Sequence, residues 1–215
     1  MTCCNPNVYD DQFDARTAQR ELREYRKHGP RGSSARLVTE LSRGGVEGLT
    51  VLDIGAGVGA VHHALLESGA ASATDVDASG PYLEAARREA ERRGLAGRVT
   101  YRKGDAVRLA AELPEADLVA LDRVVCCYPD MERLVSVAAE RTRWRLGMVL
   151  PRDVRWIRAG VAMGNGWGAL TRDPFRVHVH STDAVLAVAE AAGLALATSH
   201  SGLFWQTLVL ERRRD

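Results

Sequence analysis

Residues 51–60 read Val-Leu-Asp-Ile-Gly-Ala-Gly-Val-Gly-Ala. An apolar run takes in a carboxylate at Asp53 and then breaks into Gly55, Gly57 and Gly59, spaced by single residues. That order predicts a buried strand, an acid at its C-terminal edge, and a turn that bares backbone N–H groups. A helical pattern over Val61–Leu66 follows. A turn without Cβ atoms lets a ligand lie against main chain, so the stretch places a small-molecule site near the start of an α/β domain.

Outward from this stretch, strand and helix alternate. Strand signals cover Thr50–Ile54, Ala73–Val76, Val99–Arg102, Asp117–Leu121, Arg145–Leu150 and Phe204–Leu210. Helix patterns cover Val61–Leu66, Tyr82–Arg93, Met131–Arg143 and Ala184–Ala192, with Ser79 as the expected cap of the second and Gly94 as its stop. Strands joined by single helices lie parallel, with right-handed crossovers. The expected fold is therefore α/β, a doubly wound Rossmann-like sheet, mostly parallel with an antiparallel C-terminal strand. Ligands of such sheets bind beyond the carboxyl ends of the strands. Asp53, Asp77, Asp105 and Asp122 all fall at such ends. Ahead of the sheet, Phe13–His28 reads as a charged helix, Gly29-Pro30-Arg31-Gly32 breaks it, and Ser33 or Ser34 caps a second helix to Leu41. Residues 1–46 are expected to form a helical extension and residues 47–215 a single folded unit.

Two cofactor classes fit the glycines. Gly55 to Ala60 satisfies the dinucleotide pattern G-x-G-x-x-G/A, and Asp77 supplies the acid that this pattern wants about twenty residues on. Asp53 separates the two classes. A carboxylate beside a pyrophosphate is repelled, whereas a cofactor with a cationic amine and no phosphate is favoured. S-adenosylmethionine is such a molecule. A NAD-type oxidoreductase is the alternative, and a protein of the same fold that binds S-adenosylmethionine without methylating is a third reading.

As a set, VLDIGAGVG at 51–59, ATDVDAS at 73–79 and KGDA at 103–106 resemble the first three motifs of class I S-adenosylmethionine-dependent methyltransferases. More loosely, DPFRVHVHSTDAVLAVAEAAGL is similar in layout to magnesium-protoporphyrin O-methyltransferases. The resemblance implies a methyltransferase sheet with S-adenosylmethionine as cofactor. It implies that Asp53 meets the methionine amino end, directly or through water, and that Gly55, Ala56, Gly57 and Gly59 wall the adenosyl group. Asp77, in preference to Asp75, would hold both ribose hydroxyls bidentately. Asp105 with Ala106 would read the adenine edge, and Asp122 and Arg123 would face cofactor and substrate. Ala78 departs from the pattern, being small where the family often packs adenine with a branched apolar residue. The N-terminal helices would cover the pocket, with Phe13 and Tyr25 touching it.

The second half carries the substrate question. Asp122, His178 and His180 are the candidate catalytic groups, the histidines as a general base near neutral pH. Both histidines are expected on one side of a short extended run. Arg123, Tyr128 and Trp156 are the candidate substrate contacts, and an Arg there suits a carboxylate. Trp156, Met163, Trp167 and Phe175 form a sparse apolar set, and Gly164-Asn165-Gly166 suggests a mobile turn. The expected reaction is methyl transfer to a small molecule, onto carboxylate or hydroxyl oxygen. Of the other histidines, His28 suits a helix C-terminus, one of His62 and His63 is expected to point outward, and His200 falls in a loop without a role.

Composition narrows the partners. With 215 residues, 46% of them hydrophobic, and a net charge of +1, the chain offers no basic surface for nucleic acid or an anionic membrane. No apolar stretch approaches the ~20 residues of a spanning helix. The start, MTCCNPNVYDDQFD, lacks a charged-then-apolar signal pattern, so a cytoplasmic location is expected. Cys3-Cys4 and Cys126-Cys127 lack the C-x-x-C spacing of a zinc site, no metal is expected, and free thiols are the expectation. A thiol cluster for a soft metal or metalloid would need the N-terminus to fold over the pocket.

Overall fold

Val51, Leu52, Asp53 and Ile54 are all buried, which is what a strand covered on both faces requires. The computed structural model describes residues 13–171 and 174–213. Two helices lead, α1 (Ala15–His28) and α2 (Ser33–Leu41). Then follow β1 (Thr50–Ile54), α3 (Ala60–Glu67), β2 (Ser72–Asp77), α4 (Gly80–Arg92) and β3 (Val99–Lys103). The chain continues through β4 (Ala116–Asp122), α5 (Met131–Glu140), β5 (Thr142–Pro151), α6 (Arg155–Leu170) and α7 (Thr182–Ala191), and closes with β6 (Leu194–Ser201) and β7 (Trp205–Arg212).

The strands form one sheet in the order β3-β2-β1-β4-β5-β7-β6. Strands β1 to β5 are parallel, and β7 runs antiparallel between β5 and β6. The expected α/β sheet with an antiparallel C-terminal strand is present. Alternation along β4 sends Leu118 and Ala120 to one face and Val119 and Leu121 to the other. The first face packs against Leu37 and Leu41 of α2 and Val61, Leu65 and Leu66 of α3. The second packs against Leu134, Val135 and Ala138 of α5 and Val185 and Ala189 of α7. Gly147 of β5 makes the α2 contact possible, because a Cβ there would stand 2.5 Å from Leu37 Cδ1. Helix α1 packs on α4 instead, through Ala18, Leu22 and Tyr25 against Tyr82 and Ala85.

Local signals hold where capping chemistry is explicit. Ser79 caps α4 by accepting the Tyr82 N–H at 3.3 Å. His28 ends α1, at the helix C-terminus expected for it. Four expectations are corrected. Gly32, not Ser33 or Ser34, is the N-cap of α2, and Ser34 is buried. Gly164-Asn165-Gly166 is no turn but part of α6, and the Asn165 side chain pairs with the Val177 backbone in both directions at 2.7 and 3.1 Å. Strand β6 has no apolar alternation to announce it, since most of it is exposed or half-exposed. His200 therefore lies on a strand and not in a loop, with Nε2 3.0 Å from Glu40 Oε1. His62 and His63 are both fully buried, so neither points outward.

Buried Glu89 of α4 ties α1 down. It pairs with Arg26, Arg92 and Arg93 at 2.7, 2.6 and 2.7 Å. Burial alone would raise its pKa, but hydrogen bonds from Arg92, Arg26 and Arg93 outweigh it and hold the carboxyl at about 2. A carboxyl depressed on folding stabilises the fold above its unfolded value, here 4.5, and loses that contribution as pH falls towards 2. Denaturant unfolding across this window is expected to show wild-type stability falling with pH. Glu89→Gln should be less stable at neutral pH and flatter below it; equal slopes would mean that the cluster does not hold the helices together.

Candidate cofactor and substrate site

The strand order turns back between β1 and β4, and the crevice beyond their carboxyl ends is where sheets of this kind take ligands. A cavity of about 1230 Å³ lies there. Its floor is the glycine loop after β1. Gly55, Gly57 and Gly59 have φ of 65°, 57° and 79°, the left-handed region that disfavours any residue with a Cβ. The space around each differs. A Cβ at Gly55 would lie 2.0 Å from Val124 Cγ2. A Cβ at Gly59 would lie 2.6 Å from His63 Cε1 and 2.7 Å from His62 Cε1. At Gly57 it would meet only the Tyr82 ring, at an ordinary 3.6 Å. Gly55, Ala56 and Gly57 line the cavity and Gly59 does not. Gly59 is thus needed for helix entry and for the histidines beneath it, which corrects its expected place in the cofactor wall.

Asp77 ends β2 and faces the cavity. Its Oδ2 accepts the Gly57 N–H at 3.0 Å and its Oδ1 accepts the Ser79 N–H at 2.8 Å. Asp75, two residues earlier, is fully buried away from the cavity with neither oxygen hydrogen-bonded. Burial, then the nearby Asp77 and Asp53 charges, push its pKa well up and disfavour the charged form. Asp53 is also fully buried. Its Oδ2 takes the His62 N–H at 3.3 Å and lies 2.9 Å from His62 Nδ1. It does not line the cavity. Through Oδ2 it locks the first turn of α3 under the loop, while its buried Oδ1 has no hydrogen-bond partner among the described residues. His63 packs against the His62 and Tyr25 rings at 4.3 and 6.2 Å. Burial, followed by His62 and Arg93, lowers its pKa to about 2, so the ring is neutral.

Ala78, Asp105 and Ala106 line the same end of the cavity. Asp105 accepts the Val107 N–H at 2.9 Å and the Tyr128 hydroxyl at 3.0 and 3.1 Å. Tyr128 lines the cavity but is tied to Asp105, not free for a second molecule alone.

The far end is built on the residues after β4. Arg123 has φ 62°, the only positive value at a non-glycine among the described residues. Such strain costs about 1–3 kcal/mol and collects at functional sites. The guanidinium reaches Ser34 Oγ at 2.5 Å, stands over the Trp205 ring at 5.6 Å, and lies 3.5 Å from Asp122 Oδ1. Burial raises the Asp122 pKa against the pull of Arg123 and Ser34. Asp122 and Arg123 line the cavity with Tyr25, Arg31, Phe204 and Trp205. Phe13 also lines it, edge-on to Phe175 at 5.5 Å.

Several expected members are elsewhere. Trp156, Met163 and Trp167 are 54%, 75% and 69% exposed, and none lines the cavity; Phe175 does. Trp156 is therefore corrected as a substrate contact. His178 and His180 stack on one side at 5.6 Å, as the alternation implied, yet neither lines the cavity. The His178 N–H donates to the Cys126 carbonyl at 2.7 Å, and His180 Nε2 lies 3.1 Å from the Tyr128 carbonyl. They clasp the 125–128 turn, and burial lowers both pKa values. His178 makes this contact through its backbone and His180 through its ring. Ser34 and Trp205 were missed, because a helix serine and the first residue of a strand carry no local signal of a site. Cys3 and Cys4 lie outside the described residues.

Residues 51–144 match the family described as "Methyltransferase domain". Among solved structures, magnesium protoporphyrin IX methyltransferase from Synechocystis PCC 6803 with bound SAH is similar, at TM-score 0.75 and 20% identity over 97% of this chain and 100% of that one. An O-methyltransferase family protein from Burkholderia thailandensis is similar at TM-score 0.70 and 20% identity, over 95% of this chain and 62% of that one. The methyltransferase in complex with the Haloferax volcanii Trm112 activator is similar at TM-score 0.70 and 14% identity, over 98% of each chain. No curated protein sequence matches. Residues 51–144 thus match a methyltransferase domain, and the fold is that of the solved methyltransferases to which the chain is similar. Among the described residues no helix is long and apolar enough to cross a membrane.

The glycine geometry separates fold from function. Gly59→Ala should cost about 1–3 kcal/mol of stability, since its Cβ meets buried rings. Gly57→Ala should cost only the ~1–2 kcal/mol of a left-handed backbone. Thermal unfolding of both compares them; a Gly57 variant less stable than the Gly59 variant would contradict the packing.

Proposed function

We propose that the protein transfers the methyl group of S-adenosylmethionine to the oxygen of an acidic or hydroxylated small molecule held at the Arg123 end of the cavity. The observation that carries this is the size and continuity of that cavity. About 1230 Å³ runs from Asp77 and Asp105 to Arg123 and Trp205. Pockets for one small ligand span roughly 300–1,000 Å³, so there is room for a cofactor and a second molecule.

The residues at the Asp77 end fit this cofactor. Gly57 has no Cβ on its cavity side, and the Asp77 carboxylate lies in the wall for two ribose hydroxyls. The Gly57 N–H already serves Asp77, which leaves the loop poorly suited to a pyrophosphate and weakens the NAD-type alternative. Asp105 and Ala106 would meet the adenine edge, with Ala78 beside them.

When bound, the cofactor supplies an electrophilic methyl on a sulfonium. The chain's own work is alignment and exclusion of water. Phe13, Tyr25, Phe175 and Trp205 give the far end apolar walls. Arg123, held by Ser34 over Trp205, offers a guanidinium for a carboxylate. A carboxylate acceptor needs no base. For a hydroxyl acceptor, Asp122 is the candidate, since burial raises its pKa towards the range where it can take a proton.

A methyl-release assay over a panel of carboxylic and hydroxylated metabolites tests the reading. With a carboxylate acceptor, Arg123→Ala should raise KM roughly 10- to 150-fold, the loss of about 1.5–3 kcal/mol of charged hydrogen bonding, with kcat little changed. Release without any effect of Arg123→Ala would move the substrate away from this end. Cofactor binding without release from any acceptor would favour the non-methylating reading.

A further inference from the structure

Helix α6 is apolar on the side that faces away from its own chain. Its charges, Arg155 and Arg158, stand in the first turn, and residues 159–170 carry none. Only Ile157 of its 16 residues is buried. A helix so poor in charge is normally enclosed by protein. Trp156, Met163, Trp167 and Leu170 each expose more than half of their surface, and Ala159, Gly160 and Gly166 between them are exposed as well. At 3.6 residues per turn these positions share an arc of about 120° along about 21 Å of helix. A Cβ at Gly160 or Gly166 would meet nothing within 4 Å, so the arc is open along its length. The four large side chains present roughly 600 Å², the upper end of the apolar patches seen on monomers. The small residues between them bring the face towards the roughly 800 Å² per partner of a stable interface. The other side of α6 lines the cavity through Val161, Gly164, Asn165 and Gly168.

The spacing identifies what covers this face. Trp156, Gly160, Met163, Trp167 and Leu170 follow at alternating steps of four and three, the repeat of a seam between two helices. A helix lying in a membrane surface would carry a charged polar face, and past its first turn α6 has none. We propose that α6 packs antiparallel on α6 of a second copy of this chain, across a two-fold axis at Met163. Met163 lies midway between Trp156 and Leu170, so the axis sets Trp156 against the partner's Leu170. It sets Trp167 against the partner's Ala159, and Gly160 against the partner's Gly166. Large side chains thus meet small ones, as interdigitated packing requires. A parallel pairing would stack Trp167 on the partner's Trp167 and leave a void at Gly160, a clash beside a cavity. The antiparallel interface uses the same face on both copies and closes at two. It also braces the cavity wall from behind, because the inner side of the same helix forms that wall. The interface does not depend on which molecule is methylated.

Sedimentation equilibrium of the full chain across the micromolar range tests this. The expected result is a dimer. Met163→Asp sets two like charges at the axis and should weaken dimerisation about a hundredfold or more. Met163→Leu should leave the dimer in place. Trp156→Glu should weaken it about tenfold, and adding Leu170→Lys to the same chain should recover most of that loss. The recovery requires the antiparallel register, since within one helix the two positions stand about 21 Å apart. These side chains are exposed, so the fold itself should survive, and circular dichroism checks each variant. A wild-type chain that stays monomeric throughout would overturn the proposal, as would a dimer indifferent to Met163→Asp. A further loss on adding Leu170→Lys would overturn the antiparallel pairing. A monomer that floats with phosphatidylglycerol vesicles, and ceases to on Met163→Asp, would assign the face to a membrane instead.

Discussion

The Asp77 carboxylate accepts the Gly57 N–H at 3.0 Å and the Ser79 N–H at 2.8 Å, and this pair of bonds joins the ends of β1 and β2 at the cavity. The rest of the site depends on it. The loop after β1 can double back only because its glycines take left-handed backbone, and a loop of that kind needs a fixed partner to hold one shape. Asp77 is the partner on the cavity side. On the buried side Asp53 holds the His62 backbone and ring. One carboxylate faces the cavity and the other faces the core, so the loop is pinned from both sides.

The same logic recurs at the far end. Arg123 emerges from β4 in a strained conformation and is caught by Ser34 of α2, Trp205 at the start of β7, and Asp122. Helix α2 is a full member of the core through Leu37 and Leu41. The N-terminal helices and the last strand therefore meet at one guanidinium. A change in α2 packing would be felt at this end of the cavity, although α2 lies some eighty residues from Arg123 in sequence.

What could be read from the sequence was whatever short-range chemistry dictates. The strand-acid-glycine order of β1, the Ser79 cap, and the acids at strand ends all have local causes, and each stands where it was expected. Which acids turn outward was not legible. Asp53 lies one residue before the end of β1, in register with buried Asp75, whereas Asp77 is the last residue of β2, and the buried histidines of α3 cover Asp53. Two adjacent histidines opening a helix read as half-exposed; the close approach of Gly59 and the cover of Tyr25 bury both. Trp156 read as a substrate contact, but its place on α6 turns it, like Trp167, to the surface. His178 and His180 alternated as expected, and only the three-dimensional path shows that their partners are the carbonyls of the 126–128 turn.

The central claim is that Asp77, and not the buried Asp75, is the acid that holds the cofactor's ribose. Calorimetric titration of S-adenosylhomocysteine into wild type, Asp77→Asn and Asp75→Asn tests it most directly. The account predicts metal-independent binding to wild type, a loss of about 1.5–3 kcal/mol in Asp77→Asn, and near-wild-type affinity in Asp75→Asn. Unchanged binding in Asp77→Asn, or tight binding of NADH in place of S-adenosylhomocysteine, would contradict it.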